Sequence, residues 1–315
     1  MQDLTQLLGI KHPIIMAPMF LVSNAKMLIA GINSGIAAAV PALNYRTDEE
    51  FRAALKEVRE KSTGSLGVNL IVNKSNPRVE TQLKTCVEMK VDFIITSLGS
   101  PQKVIEACKP AGIKVLCDVV DLKFAKKVED LGADAVIAVN SKAGGHAGPM
   151  DPEELIPLLV KECSIPVISA GGVATRKDLN HVLNMGAAGA SVGSVFIASE
   201  ESDVSQEYKQ ACVDYGAKDI VMSTKVSGTP CTVINTPYVQ KIGTKQNWFE
   251  KLLSKNKRLK KWVKMLTFAK GMKSLQKAAF SATYKTVWCA GPTIEHVHAI
   301  RPVKDIVNDI VKENG

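Results

Sequence analysis

Four short stretches carry residues suited to chemistry. Lys142 to Pro149 read "KAGGHAGP", which sets His146 between glycines on a turn after the apolar run "AVIAV". A lone histidine is usually structural. Here Gly144 and Gly145 offer no bulk to pack it and permit close approach of a ligand. Imidazole titrates near neutrality, which suits proton abstraction. "SAGGVAT" (Ala170, Gly171, Gly172) and "SVGSVFIAS" (Val192, Gly193, Ser194) place small residues where backbone N–H groups can meet a phosphate. The same glycines could serve only to make tight turns. "APM" (Ala17, Pro18, Met19) and Asn69 of "LGVNL" fall in two further runs. An amide at a strand end can read the edge of a flat heterocycle, or it can be a satisfied buried amide. Met19 is either core filler or a ring contact.

Other chemistries lack their residues. No set of His, Asp and Glu suggests a metal site, and no serine elbow or nucleophilic cysteine motif occurs. His181, His296 and His298 lie in helical patterns and read as structural.

These stretches need elements to hold them. Eight short apolar runs begin at Ile14, Ile36, Leu66, Phe93, Lys114, Ala135, Pro166 and Gly189, with helical patterns between them. Such alternation indicates right-handed βαβ crossovers and a parallel sheet. The runs are apolar throughout, as in strands buried on both faces. The fold class expected is α/β, a (β/α)8 TIM barrel with an inserted helical substrate or cap region. A doubly wound dinucleotide fold is disfavoured, because "APMF" rather than a glycine fingerprint ends the first run. In a (β/α)8 barrel, functional groups gather at the C-terminal strand ends, with phosphate after strands seven and eight.

After about residue 200 the rhythm breaks. The expected domains are the barrel over 1–200, a helical insert with basic helices over 201–288, and a closing segment over 289–315 that packs back. "STKVSGTPCTVINTPYV" reads as irregular or extended, and "IEHVHAIRPVKDIVNDIVKEN" as a final helix.

Composition excludes several classes. The chain has 315 residues, 46% apolar and 23% charged, as in an ordinary globular protein. Aromatics at 5% do not favour stacking platforms for nucleic acid. No apolar run is long enough to cross a bilayer and no signal peptide is evident, so a cytoplasmic protein is expected. Seven scattered cysteines form no C-x-x-C pair, which fits a reducing compartment. The net charge of +9 is concentrated between Lys241 and Lys277, where Glu250 is the lone acid. That stretch is either a solvated helical face or a docking patch for an anionic partner.

The "AGGHAG", "SAGGVAT" and "GASVGSVFIAS" stretches, with "PIIMAPM" and "LGVNL", resemble the nitronate monooxygenases (formerly 2-nitropropane dioxygenases) and the related FMN-dependent enoyl-acyl carrier protein reductases. "STKVSGTPCTVINT" and "WCAGPTIEHVHAIRPVKDIV" resemble the segments that follow their barrel. The resemblance implies an FMN cofactor. Gly171, Gly172, Gly193 and Ser194 would hold its phosphate, with Val192 nearby and Ala170 preceding. Asn69 and the backbone of Ala17, Pro18 and Met19 would meet the isoalloxazine ring. Gly144, followed by Gly145, would lie against the flavin, and His146 would match the catalytic histidine. Relatives often carry an acid where Lys142 stands, and a glutamine or glutamate where Val139 stands. The implied function is an FMN-dependent oxidoreductase that converts nitronates or nitroalkanes with O2 to carbonyl compounds and nitrite. The alternative is an NAD(P)H-dependent reductase of enoyl thioesters. Expected partners are that small-molecule substrate and O2, an acidic carrier protein at the basic insert, and a second copy in a homodimer. Neither nucleic acid nor membrane is expected.

Overall fold

The computed structural model describes residues 2–73, 76–224, 229–245 and 287–312. The lysine-rich helical region expected at about 245–280 lies outside them, save Lys245.

The eight apolar runs are eight parallel strands that close into a barrel in sequence order. They are β1 (Ile14–Met16), β2 (Ala37–Pro41), β3 (Leu66–Ile71), β4 (Phe93–Ser97), β5 (Lys114–Val119), β6 (Ala135–Val139), β7 (Val167–Ala170) and β8 (Gly189–Val192). The ring closes where Ile14, Ile15 and Met16 of β1 pair with Ala190, Ser191 and Val192 of β8. The helices are α1 (Leu4–Leu8), α2 (Ala25–Asn33), α3 (Asp48–Lys61), α4 (Val79–Glu88), α5 (Gln102–Cys108), α6 (Leu122–Asp130), α7 (Pro152–Glu162) and α8 (Arg176–Asn184). After the barrel come α9 (Gln206–Asp214), the antiparallel strands β9 (Ile220–Ser223) and β10 (Cys231–Ile234), α10 (Pro237–Ile242) and α11 (Val303–Val311).

Local chemistry accounts for these boundaries. Thr47 and Glu50 form a reciprocal capping box at the start of α3, and Asp48, Glu49 and Glu50 complement the helix dipole there. Pro152 opens α7, where a missing N–H costs nothing. Gly112 takes the left-handed conformation (φ 71°) that ends the turn after α5.

Strand side chains alternate between two buried layers. One set faces outward to the helices. The inward set, including Ile15, Ala37, Ala39, Phe93, Ile95, Leu116, Ile137 and Ile168, fills the barrel. Leu4, Leu7 and Leu8 of α1 join that inner cluster and close the end of the barrel where the strands begin. Gly67 makes room for the Phe93 ring; a Cβ there would lie 2.2 Å from its Cζ.

Two expectations need revision. The stretch read as irregular or extended, 223–239, takes in the end of β9, is extended in β10 and turns helical at Pro237, where α10 begins. The tail is helical only from Val303, because Pro302 has extended backbone at the helix entrance. Pro292–His296 is a short 3-10 turn, and His298 lies beyond it in an irregular segment. Val303, Ile306, Val307 and Ile310 are buried at helical spacing, and α11 packs between α2 and α8. Each such side chain contributes about 1.5–3 kcal/mol on burial. This last helix thus completes the outer ring.

Candidate functional site

Alternation along the strands fixes what faces the C-terminal mouth. Two residues beyond the inward Gly67, Ile95, Leu116, Ile137 and Ile168 come Asn69, Ser97, Asp118, Val139 and Ala170. These form the floor of the mouth. Val139 and Ala170 are partly buried against the inner cluster, so that side is apolar. The other side is polar and connected. The Asn69 Nδ2 group donates to the Ile95 carbonyl at 3.1 Å and to Ser97 Oγ at 2.7 Å, and Ser97 Oγ in turn donates to Asp118 Oδ2. Because a backbone carbonyl only accepts, the Ile95 contact fixes the orientation of the Asn69 amide. Asp118 is partly accessible from the mouth but hemmed in by protein. Burial raises its pKa to about 6, while the Ser97 hydrogen bond pulls the other way.

His146 stands on the loop after β6. The residue is exposed, yet the surrounding protein displaces some of its water. That desolvation lowers its pKa below the ordinary value, so it is neutral at neutral pH and ready to accept a proton. The loop owes its shape to neighbours far along the chain. Thr232 Oγ accepts from the Gly145 N–H at 2.8 Å and donates to the Ala143 carbonyl at 3.2 Å, and the Thr232 N–H donates to the Gly145 carbonyl at 2.7 Å. Gly145 has φ 77° with open space around it, a conformation glycine adopts without strain. Gly144 is small for a different reason. A Cβ there would sit 2.6 Å from Ser194 Oγ and 2.9 Å from the Gly291 nitrogen. Crowding by the protein itself therefore requires glycine at 144.

The two loops expected to bind phosphate lie side by side, since β7 and β8 pair at Ala170 and Ser191. The N–H groups of Gly172, Val173, Gly193 and Ser194 donate to no acceptor among the described residues. Unpaired backbone donors need a partner, and clustered donors with small residues suit an oxyanion such as phosphate. Gly171 (φ 114°) is again fixed by packing, because a Cβ would come within 2.4 Å of Asn140 Oδ1. Ser194 Oγ accepts from the Gly291 N–H at 2.8 Å, which fixes the oxygen and leaves its O–H able to donate to a ligand. The Val192 side chain belongs to the outer layer, and its carbonyl accepts from Ala17 at 2.8 Å. Met19 packs beside Gly193, with its sulfur 3.6 Å from where a Cβ would stand, and Ser23 Oγ accepts its N–H. Pro18, between Ala17 and Met19, continues the chain out of β1 at the same end of the barrel.

Several residues at this site were not singled out by sequence. Asn140 is fully buried and ties the loops after β6 and β7 together: Nδ2 donates to the Gly171 carbonyl, and Oδ1 accepts from the Lys142 N–H. Thr232, Ser97 and Asp118 join it. Lys142 reaches outward to Glu153 on α7 at 3.1 Å, and its stem lies over Gly172. Glu153 also meets His181 on α8, on the border of a groove of about 860 Å³ outside the mouth. Among the described residues no group of three or more His, Cys, Asp or Glu could hold a metal, and no helix is long and apolar enough to cross a membrane.

Comparison with known proteins places this geometry. The family model described as nitronate monooxygenase matches residues 1–313. A (3aS,4S,5R,7aS)-5-hydroxy-7a-methyl-1-oxo-octahydro-1H-indene-4-carboxyl-CoA dehydrogenase of Rhodococcus jostii is 30% identical over 76% of this chain and 67% of that protein. A nitronate monooxygenase of Paraburkholderia phytofirmans is 29% identical over 71% of this chain and 74% of its own. The structure of FabK from Thermotoga maritima superposes with a TM-score of 0.85 and 29% identity, covering 99% of this chain and 95% of that one. A nitroalkane oxidase from Streptomyces ansochromogenes, at 22% identity and a TM-score of 0.78, shares the fold. The match across the barrel, the histidine loop and the segment that braces it shows that this chain belongs to the nitronate monooxygenase family and is an oxidoreductase of that type.

Proposed function

We propose that the chain is an FMN-dependent nitronate monooxygenase that takes nitronates, or the parent nitroalkanes, and O2 to carbonyl compounds and nitrite. The observation that carries this reading is the pairing of a neutral His146 at the mouth with unpaired backbone donors on the adjoining loops, in a chain of this family. The residues fit the cofactor. Gly172, Val173, Gly193 and Ser194 would hold the FMN phosphate through backbone N–H groups, with Gly171 and Ala170 shaping the turn. Asn69 and the Ala17–Met19 backbone would meet the ring. When bound, FMN supplies the electron transfer between substrate and oxygen.

The remaining work falls to the protein. His146 Nδ1 or Nε2, neutral at neutral pH, accepts the proton from the α-carbon of a nitroalkane. A substrate supplied as the nitronate needs no such transfer, and His146 then orients it. The apolar floor at Val139 and Ala170 limits water beside the ring. Thr232 and Asn140 fix the loop that carries the base. Anaerobic mixing tests the reading: a nitronate is expected to bleach the flavin. Rapid bleaching by NADH or NADPH, without any by a nitronate, would overturn it.

A second reading, reduction of an enoyl thioester, draws on the 29% identity to FabK across 99% of this chain and on relatives named as CoA dehydrogenases. The same mixing experiment separates the two, because only the second requires a pyridine nucleotide.

A further inference from the structure

The interior of the barrel is apolar at every level beneath the mouth, with Ile15, Ile95, Leu116, Ile137 and Ile168 among its members. One carboxylate breaks that pattern. Asp118 follows Leu116 by two positions on β5 and therefore faces the same interior. Placing a carboxylate there has a desolvation cost, and packing alone gives no reason for it. No lysine or arginine among the described residues pairs with it, and the partner it has is Ser97. Its Oδ2 accepts from Ser97, while Oδ1 has no partner among the described residues and is not sealed from the mouth.

We propose that Asp118 tunes and positions the flavin: it sets a fixed negative charge in the floor beneath the ring and, through Ser97, holds Asn69 with its amide oxygen toward the cofactor. This inference rests on the FMN reading above. The relay has a defined polarity. Asp118 accepts the Ser97 O–H, which leaves the Ser97 oxygen to accept from Asn69 Nδ2. Both Asn69 donor hydrogens are then engaged, by Ser97 and by the Ile95 carbonyl. Oδ1 is what Asn69 presents to a ligand, and an imide N–H on the edge of a flat heterocycle is its complement. At neutral pH the Asp118 carboxylate is ionised, since its pKa is raised only to about 6. Reduction places additional negative charge on the ring, and a poorly hydrated carboxylate nearby opposes that charge.

Two substitutions in the full-length holoprotein separate the two effects. Asp118→Asn keeps an acceptor for Ser97 but removes the charge. Its FMN midpoint potential at pH 7.5, measured by dye-coupled reduction, is expected to be more positive than the parent's. Ser97→Ala keeps the charge but breaks the relay. Its apoprotein is expected to bind FMN about tenfold more weakly, the loss of one charge-assisted network contact, with Ser97→Thr restoring affinity. An Asp118→Asn potential equal to the parent's overturns the tuning role, and an unchanged FMN affinity in Ser97→Ala overturns the relay; either leaves the FMN reading intact. A parent protein that stays colourless and cannot be reconstituted with FMN overturns both readings together.

Discussion

His146 is useful because of where its proton equilibrium lies. Desolvation lowers its pKa below 6.5, so the basic form persists into mildly acidic solution. With a neutral nitroalkane as substrate, kcat/KM should fall only as pH drops through that lowered value, giving an acid limb below pH 6.5. A preformed nitronate should show no such limb from this residue. Replacing His146 with Asn should slow turnover of the nitroalkane by roughly 10²–10⁴-fold, the usual contribution of a positioned base. The same variant should retain its visible flavin spectrum. Stopped-flow rates and spectra on one preparation check both outcomes. Gly171 offers a complementary test away from proton transfer. Alanine there would collide with Asn140 Oδ1 and the Ala143 nitrogen and would occupy a φ of 114°. Strain of that kind costs about 1–3 kcal/mol. Gly171→Ala should therefore lower the thermal midpoint and weaken FMN binding together, as read by differential scanning fluorimetry and flavin release.

At the scale of elements, the strands were legible and the braces were not. "AVIAV" and "FIITS" announce themselves because a strand buried on both faces reads as a near-continuous apolar run rather than an alternating one. The glycine-flanked histidine was equally visible, because residue type and spacing sit within one short loop. Thr232 was invisible for the opposite reason. Its three hydrogen bonds reach a loop some 87 residues earlier, and nothing in "CTVINT" marks that distance. Asn140 likewise gives no local sign that it joins β6 to the loop after β7. Asp118 was readable in principle, as a charge two positions beyond Leu116 on β5, but only once the inward face of β5 is known. The glycines were legible as to place, while part of the reason for them was not: at 144 and 171 neighbouring atoms of the protein, Ser194 Oγ and Asn140 Oδ1 nearest among them, leave no room for a side chain. Thr232→Val tests the brace. It keeps the backbone bond to Gly145 and removes both Oγ bonds, each worth about 0.5–1.5 kcal/mol. Turnover should drop several-fold to tenfold with FMN still bound, and a crystal structure should show the Gly145–His146 loop displaced.

The whole molecule is held by its late segments as much as by the barrel. Trp288 is fully buried and stacks on Tyr208, with ring centroids 5.5 Å apart, and the Tyr208 hydroxyl donates to the Cys289 carbonyl. Burial raises the Tyr208 pKa well above its usual range, so this hydroxyl stays protonated and remains a donor. From that anchor the chain runs to Gly291, whose N–H meets Ser194 beside Gly144. Trp288→Ala should cost about 3–5 kcal/mol of stability, measured by urea unfolding, and should depress activity beyond that expected from the unfolded fraction. Charge acts at the same scale. With +9 overall, attraction to an acidic carrier would make turnover of a carrier-bound substrate fall steeply between 50 and 500 mM salt, roughly the range over which the Debye length contracts past 10 Å. A free nitronate, being small and anionic, should lose much less.

The Thr232 and Gly291 contacts also impose an order of assembly. A nascent chain folds from its N-terminal end as it is made, so all eight strands emerge before either residue that shapes the histidine loop. The last helix, which fills the gap between α2 and α8, arrives later still. The eight strands alone therefore lack the contacts that shape the His146 loop and back the loop after β8. The shape of the histidine loop thus depends on segments that lie far along the chain from it.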